Sequence, residues 1–371
     1  MIIKNADVFD EKGFFEKRDI YIDDELFSEK SKDLNVLDGS NCYLVPGLTD
    51  IHFHGCMGYD FCDGNKEAIQ SIADYEASVG VTTIVPATMT LSEERLKEIV
   101  RVAKNHNNEK GAILCGINME GPFISINKKG AQNSEYIHKP DVEMFDRIQK
   151  ESGGLIKIVD IAPELEGAIQ FIKSKKDEVI ISIAHTDADY DISKEAIKEG
   201  AVHVTHLYNA MNPIMHRKPG PVIAAADDEI CKAEIICDNV HIHPVIVRNT
   251  LKMFGDDRII FISDTMRATG LKDGEYELGG QKVIVKGNLA TLEDGTIAGS
   301  NTNLMECMRI AVKKMDVPLE IAVKCAAVNS AKAVGIYDKY GSIEVGKVAN
   351  AVLLNKDDLS INKVILKGRC I

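Results

Sequence analysis

The sequence predicts an α/β protein: a (β/α)8 TIM-like barrel that carries a small β-sandwich domain built from both ends of the chain. Three observations support this fold class. Short β-branched apolar runs alternate with amphipathic segments through the middle of the chain, which is typical of repeated βα units and a parallel sheet. The runs number eight, as in a closed barrel. Both chain ends show short alternating strands between Gly, Asp and Asn turns.

The segments between the apolar runs favour helices. Ser92 opens a helix in which apolar residues recur at helical spacing as far as Ala103. Residues 140–150 repeat this pattern, and a shorter helix over 193–199 can end at Gly200. The eight runs that we interpret as barrel strands cover residues 47–51, 80–87, 113–118, 156–161, 179–183, 202–205, 233–237 and 258–262.

These elements divide the chain into two predicted domains. Residues 1–46 and 343–371 are expected to form the β-sandwich domain, because neither end could close a core alone. Residues 47–342 are expected to form the barrel. A Gly-rich segment with alternating Val and Ile, near 271–297, predicts a β-hairpin insertion after the eighth strand.

The composition limits the possible partners. With 371 residues, 45% hydrophobic and 27% charged, the chain is long enough for one large barrel and a small accessory domain. A net charge of -13 repels polyphosphate backbones and anionic membrane surfaces. We therefore expect neither nucleic acid nor a membrane as a partner. No apolar stretch has the length of a signal-peptide core or of a membrane span, about 18 residues.

The cysteines indicate the compartment. There are nine, scattered without a Cys-x-x-Cys pair, as expected of reduced thiols and not of a disulfide scaffold. Cys56 and Cys62 lie near a histidine pair, but their spacing matches no common zinc motif. The cysteine usage and the apparent lack of a targeting segment predict a cytoplasmic protein.

That histidine pair is the first candidate for chemistry. His52 and His54 follow the first apolar run, and imidazole is the commonest metal ligand in proteins. Both rings can point to one site at a strand end only if the backbone bends there, and Gly55 and a preceding Pro-Gly pair supply the irregularity. Taken alone, the pair is either half of a divalent metal site or two partly exposed loop histidines.

Further candidates follow other predicted strands. In a barrel of this kind the active site lies at the C-terminal ends of the strands. Unrelated polar caps would rarely coincide at five of eight strand ends, and three or more N/O ligands with an open position describe a catalytic metal site. The candidates are His52 and His54 after the first run, Glu120 after the third, His185 after the fifth, His206 after the sixth and Asp264 after the eighth.

Two other histidines were considered for the same site. His203 is an odd number of positions from His206, so we expect it to face the other side of its strand and to pack there. His216 follows a proline in a loop, and its role stays open.

The motifs around these candidates resemble the amidohydrolase superfamily, and within it the N-acetylglucosamine-6-phosphate deacetylases, over essentially the whole chain. A His-x-His pair alone would fit any member of the superfamily, whereas Glu-Gly-Pro after the third strand together with His-Leu-Tyr-Asn-Ala-Met is much more specific. The motifs are PGLTDIHFHG (46–55), MEGPF (119–123), AHT (184–186), THLYNAM (205–211), RKPG (217–220), DNVH (238–241) and SDTM (263–266).

This resemblance implies a divalent metal centre. It assigns Glu120, His185 and His206 to one metal ion. A second ion could be held by His52, His54 and Asp264 with a shared Glu120. Several relatives bridge two metals with a carboxylated lysine after the fourth strand, but this chain has no lysine at 161–164, and the resemblance gives the bridging position to Glu120. Zinc, iron and manganese all suit such mixed N/O ligands, and one or two ions per subunit are possible.

The resemblance also implies a phosphorylated amino sugar as substrate. Arg217 can bind a phosphate through two parallel hydrogen bonds, although from spacing alone it could be a surface arginine. Some family members carry histidine in place of Gln132, which weakens any role assigned there. In this family a neighbouring subunit completes the phosphate site, so a homodimer is implied. The implied substrate-binding residues are Ala131, Gln132, Asn209, Ala210, Arg217, His241, Ile297, Ala298 and Gly299.

The implied reaction is metal-dependent hydrolysis of the acetamide of N-acetyl-D-glucosamine 6-phosphate to D-glucosamine 6-phosphate and acetate, within amino-sugar catabolism. Asp264 is the implied catalytic acid and base. The same chemistry on N-acetylgalactosamine 6-phosphate or on an N-acyl-D-amino acid stays open. A catalytically silent binding protein is a further alternative, against which the intact Asp264 and metal ligands argue.

Overall fold

Two parallel sheets form the middle of the chain in a computed structural model that describes residues 1–10 and 12–371. They confirm the α/β class and its parallel strands. The three-stranded sheet contains Leu48–Asp50, Val81–Ile84 and Ile113–Leu114. The six-stranded sheet contains, in chain order, Ile117–Met119, Ile156–Ile161, Ile180–Ile183, Ala201–Val204, Lys232–Ile236 and Ile259–Ile262.

The third predicted strand is two strands in the structure. Ile113–Leu114 pairs with Val81–Ile84, whereas Ile117–Met119 pairs with Ile156–Ile161. A Cβ on the intervening Gly116 would lie 2.4 Å from Cγ of Lys157, so this position has no room for a side chain. The break lies between the strand that pairs with Val81–Ile84 and the strand that pairs with Ile156–Ile161. The continuous apolar run 113–118 did not reveal it.

Backbone contacts join the two parallel sheets at both edges. At one edge Ala87 and Asn118 form a parallel bridge. At the other edge, just beyond the first and last strands, the Asp264 N–H donates to the His52 carbonyl at 2.9 Å. The His54 N–H donates to the Thr265 carbonyl at 2.7 Å. Side chains that follow strands at opposite ends of the array are thereby held next to each other.

Helices lie between the strands and begin at polar caps. The carboxylate of Asp189 accepts from the N–H of Ile192, so the helix predicted over 193–199 begins at Tyr190. The α-helices are Lys66–Ser78, Glu93–Lys104, Val142–Ser152, Ala168–Lys175, Tyr190–Glu199, Gly220–Ala226, Pro244–Phe254, Leu304–Met315, Leu319–Val323 and Asn329–Ala333. Short 3-10 turns cover Phe61–Asp63, Ile126–Lys128 and Ser134–Tyr136, and Lys324–Val328 is a π-helical segment.

Two further sheets lie at the ends of the chain: the first takes its strands from residues 2–38, and the second, like an apolar cluster, draws on both ends. Ile3, Leu44 and Leu353 are fully buried in this cluster, which draws on both termini. One sheet orders its strands as Leu26–Ser28, Ile20–Asp23, Ile2–Lys4 and Val36–Asp38. The other orders them as Arg369–Cys370, Ile361–Leu366, Ala351–Asn355, Cys42–Pro46, Asp7–Phe9 and Phe15–Lys17.

Two small antiparallel sheets complete the fold. Gly55–Cys56 pairs with Tyr59–Asp60 directly after the histidine pair. Following the last parallel strand, Gly274–Leu278, Gln281–Lys286 and Leu289–Leu292 form a three-stranded sheet with its own apolar cluster. Within the described ranges, no helix has both the length and the apolar character needed to cross a membrane.

Candidate metal centre and active site

Glu120 lies at the centre of a buried cluster of four histidines. Its Oε1 is 2.7 Å from Nε2 of His185 and 3.3 Å from Nε2 of His206. Its Oε2 is 3.1 Å from Nε2 of His54 and 3.5 Å from Nε2 of His52. Each carboxylate oxygen therefore faces a different pair of histidines, which suits a bridging group.

The chain follows unusual backbone paths at three of these strand ends. His185, His206 and Asp264 have φ values of 43°, 28° and 52°, in a region that few residues other than glycine adopt. Main-chain conformations of this kind cost energy and cluster at functional sites. Beside Glu120, Gly121 also has a positive φ, and a Cβ there would lie 2.0 Å from Oγ1 of Thr90. The backbone aims the polar side chains inward at the expense of local stability.

His52 and His54 both turn into the cluster, as a bent strand end requires. Their ring centroids are 5.6 Å apart, with an interplanar angle of 83°. The bend is compatible only with glycine at position 55, because a Cβ there would lie 2.1 Å from the Tyr59 carbonyl oxygen. Asp264 joins this side, with its Oδ1 3.4 Å from Nε2 of His54 and 3.7 Å from Nε2 of His52.

These donor atoms fit a metal. Donors about 2.1 Å from a tetrahedral zinc ion lie about 3.4 Å from one another, and the separations in this cluster range from 2.7 to 3.7 Å. His52 Nε2 and Glu120 Oε2 are buried and have no hydrogen-bond partner among the described residues, a costly arrangement that a cation would relieve. Two overlapping sets have donor atoms within 4.8 Å of one another: His52, Glu120 and His206, and His52, His54 and Asp264.

The charges of the cluster support one another. Burial raises the pKa of Glu120, but the charge of His52 and hydrogen bonds from His185 and His206 outweigh it and hold this pKa well below its usual range. Burial likewise acts to raise the pKa of Asp264, and the hydrogen bond from His54 with the charge of His52 lowers it. Both carboxyl groups are therefore ionised at neutral pH and able to accept a proton or bind a cation.

Behind the cluster, sequence reasoning missed Glu234 and wrongly expected His203 to face the other side of its strand. Glu234 is fully buried in the strand Lys232–Ile236, and its Oε2 accepts from Nδ1 of His52 at 3.0 Å and from the His206 N–H at 3.2 Å. Its Oε1 accepts from Nε2 of His203 at 3.1 Å. His203 thus turns to the side that carries the site. A single acidic residue within the apolar run 233–237 was the signal that could have identified Glu234.

The cluster opens into a cavity of about 390 Å³. The carboxylate of Asp238 accepts from Nδ1 of His241 at 2.7 Å and so turns Nε2 of His241 outward. Lys128, which sequence reasoning also missed, is part of the wall, and its Nζ lies 3.9 Å from Oδ1 of Asp187. Of the predicted substrate-binding residues, those lining the cavity are Ala131, Gln132, Asn209, Ala210, His241, Ile297 and Gly299.

Two predicted substrate residues lie elsewhere. Ala298 is fully buried in the apolar cluster of the three-stranded sheet. Arg217 is exposed in the loop after the sixth strand and borders a separate depression with Asp187 and Tyr190. Within one chain, Arg217 is therefore not part of the cavity wall. His216 is exposed in the same loop.

Comparisons with known proteins identify similar chains. A family model described as the amidohydrolase family matches residues 43–371. An N-acetylglucosamine-6-phosphate deacetylase of Bacillus subtilis is 40% identical over 320 residues, which cover 85% of this chain and 81% of that protein. An N-acetylgalactosamine-6-phosphate deacetylase of Escherichia coli O157:H7 is 30% identical over 329 residues, which cover 88% of this chain and 87% of the relative.

A solved structure also resembles the chain closely. It is a mutant N-acetyl-D-glucosamine-6-phosphate deacetylase from Mycobacterium smegmatis in complex with N-acetyl-D-glucosamine-6-phosphate. The two folds superpose with a TM-score of 0.92 at 30% sequence identity, covering 100% of this chain and 98% of the other.

Proposed function

The chain belongs to the amidohydrolase family, and from this we propose that it hydrolyses the acetamide of N-acetyl-D-glucosamine 6-phosphate to D-glucosamine 6-phosphate and acetate, as a step of amino-sugar catabolism. The observation that carries the proposal is the convergence of Glu120, four histidines and Asp264 at the floor of one cavity. Relatives and a solved structure with this activity in their names support the choice of substrate.

The proposed framework is a complete (β/α)8 barrel over residues 47–342, with a β-sandwich domain formed by residues 1–46 and 343–371 and a β-hairpin insertion near 271–297. Hydrogen bonds between residues just beyond the first and last parallel strands support closure of the barrel. The apolar cluster shared by both chain ends supports the second domain.

The proposed centre takes one or two divalent ions of zinc, iron or manganese. Glu120, His185 and His206 would hold one ion, and His52, His54 and Asp264 with the shared Glu120 would hold the other. A divalent metal would supply Lewis acidity, polarising a carbonyl oxygen and lowering the pKa of a bound water to about 7. The chain's own contribution is to hold these donors in fixed positions in a buried environment.

Asp264 moves the proton in the proposed reaction. Its ionised carboxylate accepts a proton from the attacking water as the water oxygen bonds to the acetamide carbon. When the carbon–nitrogen bond breaks, Asp264 returns that proton to the departing amine, which could not leave as an anion. Nε2 of His54, 3.4 Å from Oδ1 of Asp264, keeps the carboxylate directed at the cluster.

Recognition of the sugar phosphate is proposed to involve residues of the cavity wall and of a second subunit. Burial lowers the pKa of His241, but the hydrogen bond to Asp238 outweighs it and raises that pKa, and the protonated ring can donate from Nε2 to a sugar or phosphate oxygen. Lys128 attracts the anion. The position of Arg217 on an exposed loop, away from the cavity of its own chain, supports a homodimer in which this arginine completes the partner's phosphate site.

The substrate assignment has one competing candidate. The Escherichia coli O157:H7 relative is named for the galactosamine epimer, so N-acetylgalactosamine 6-phosphate is the alternative substrate. Acetate release should be measured from both phosphorylated sugars and from unphosphorylated N-acetylglucosamine. We expect the largest kcat/KM with N-acetylglucosamine 6-phosphate. Greater activity on N-acetylgalactosamine 6-phosphate would make that epimer the assigned substrate. Absence of acetate release from all three compounds would refute the proposed function.

A further inference from the structure

The carboxylate of Glu234 forms hydrogen bonds with residues of the metal centre without being one of its proposed ligands. It is held at three points, by the rings of His52 and His203 and by the main-chain N–H of His206. Its strand lies between those that lead to His206 and Asp264, and the group is entirely shielded from solvent. These three hydrogen bonds fix the orientation of the carboxylate where it has no contact with solvent.

We propose that Glu234 is a positioning residue that commits His52 to a second metal position, formed with His54 and Asp264 beside the position of His185 and His206. The inference deepens the proposed function and rests on it, because it requires that the cluster bind metal. It favours two ions per chain over one.

The direction of one hydrogen bond carries the inference. Imidazole binds a metal in its neutral form, with one N–H and one nitrogen that keeps its lone pair, and a carboxylate can only accept. Glu234 therefore places the proton of His52 on Nδ1. The lone pair of Nε2 then faces Glu120 and Asp264, whose nearest oxygens are 3.5 and 3.7 Å away. A carboxylate behind a ligating histidine also makes that histidine a stronger donor.

The other three histidines of the cluster lack such a carboxylate. His185 donates from Nδ1 to the main-chain carbonyl of Lys128 at 2.8 Å. The Nδ1 atoms of His54 and His206 are buried with no hydrogen-bond partner among the described residues. Of these four histidines, only His52 therefore has a carboxylate hydrogen-bonded to its Nδ1. The second oxygen of that carboxylate is held in place by His203.

Glu234→Gln tests the inference with little change in shape. A glutamine keeps its amide oxygen beside the His206 N–H, which can only donate, so it still accepts from Nδ1 of His52 but lacks the negative charge that makes this ring a stronger donor to a metal. Asp160→Asn is the matched control. Asp160 is equally buried and accepts from the Thr205 hydroxyl at 2.7 Å, but it makes no hydrogen bond to a histidine of the cluster.

The measurement is zinc bound per chain after metal-free protein is dialysed against a series of fixed free zinc concentrations. We expect two ions in the natural protein and in Asp160→Asn. In Glu234→Gln we expect the second ion to bind about 10- to 100-fold more weakly, while the affinity for the first ion is unchanged. Raising free zinc by about the same factor should restore the second ion.

Several results would overturn the inference. Unchanged zinc binding by Glu234→Gln would exclude a positioning role. Equal weakening of both ions, with easier denaturation of the metal-free protein, would indicate a merely structural residue. One ion in the natural protein would remove the second position and leave the proposed function intact, whereas no zinc and no chelator-sensitive acetate release would refute both.

A second variant keeps the test decisive if Glu234→Gln does not fold. His203→Gln leaves Glu234 in place but weakens the fixing of one of its oxygens. We expect the second ion to bind roughly fivefold more weakly, as for the loss of one ordinary hydrogen bond, with the first ion unaffected. Unchanged affinity for the second ion in a folded His203→Gln protein would count against the inference.

Discussion

The candidate metal centre has two halves, the first around His185 and His206 and the second around His52, His54 and Asp264. The two halves are fixed to different parts of the molecule. His185 is held by a main-chain carbonyl at Lys128, in a short 3-10 turn at the edge of the cavity. His52 is held by the carboxylate of Glu234, inside a strand of the parallel sheet. The first anchor is available to any sequence that makes the turn, whereas the second depends on one side chain. Substitutions should therefore separate the two halves.

The largest effect is expected at Asp264, which belongs to the second half and is also the proposed acid and base. We predict that Asp264→Asn slows acetate release by about 10²- to 10⁴-fold, because an amide cannot accept the proton of water. Since Asp264 is not among the donors around Oε1 of Glu120, the ion held by His185 and His206 should remain.

Metal content and melting temperature must be measured beside the rate. A residue that only caps the turn after its strand would lose about 1 kcal/mol of stability and keep kcat. Near-normal kcat in Asp264→Asn at normal metal content would contradict its assignment as the acid and base.

Removing one histidine from each half compares the halves directly. We predict that His185→Asn weakens the first ion, and that His54→Asn weakens only the second. Each loss should exceed the roughly 10- to 100-fold cost of losing an outer hydrogen-bond partner. Elemental analysis after dialysis measures both. Identical zinc-binding curves for the two variants would mean that the halves form a single site.

The two halves should also differ in their response to pH. Burial lowers the pKa of His54, but the neighbouring carboxylates of Asp264 and Glu120 outweigh it and raise this pKa to about 10 in the metal-free protein. A metal must displace that proton, so we predict that affinity in the second half falls roughly tenfold for each pH unit below neutrality. Zinc titrations at about pH 6, 7 and 8 test this dependence of affinity on pH.

The metal-free protein should show the opposite trend. The folded-state pKa of His54 lies above its ordinary value of about 6.5, so the charged pair with Asp264 contributes its full stability below about pH 6.5. That contribution is lost as pH rises towards 10. Denaturant unfolding of metal-free protein across this range measures it, with His54→Asn as the control. A flat difference between the two proteins would contradict the raised pKa.

The smallest effect is expected at the phosphate, away from both halves. Arg217→Ala and His241→Ala should each lower kcat/KM for the phosphorylated sugar about tenfold, the cost of one charged hydrogen bond of roughly 1.5 kcal/mol. Unphosphorylated N-acetylglucosamine is the control substrate. Equal losses on both substrates would show that these residues do not recognise phosphate. Mixing Arg217→Ala with an Asp264→Asn chain should partly restore activity if the arginine acts across a dimer.

Sequence patterns predicted the parallel α/β architecture because periodicity reports burial directly. The same patterns placed Glu120, His185, His206 and Asp264 at strand ends, and the structure brings all four to the wall of one cavity. The roles of these residues remain predictions, as do the closed barrel and the β-sandwich. Glu234, which holds His52, was missed because it lies in another strand of the sheet, and local sequence does not show which strands lie side by side. The break at Gly116 was missed for a similar reason, because the two parts of that run pair with different strands.

Metal-dependent acetate release from N-acetylglucosamine 6-phosphate tests the central claim most directly. Purified protein should be assayed as isolated, after removal of metal by a chelator, and after addition of a measured amount of zinc. The account predicts that activity disappears with the metal and returns in proportion to zinc bound by the chain. Undiminished acetate release from protein with less than about one ion per two chains would contradict it.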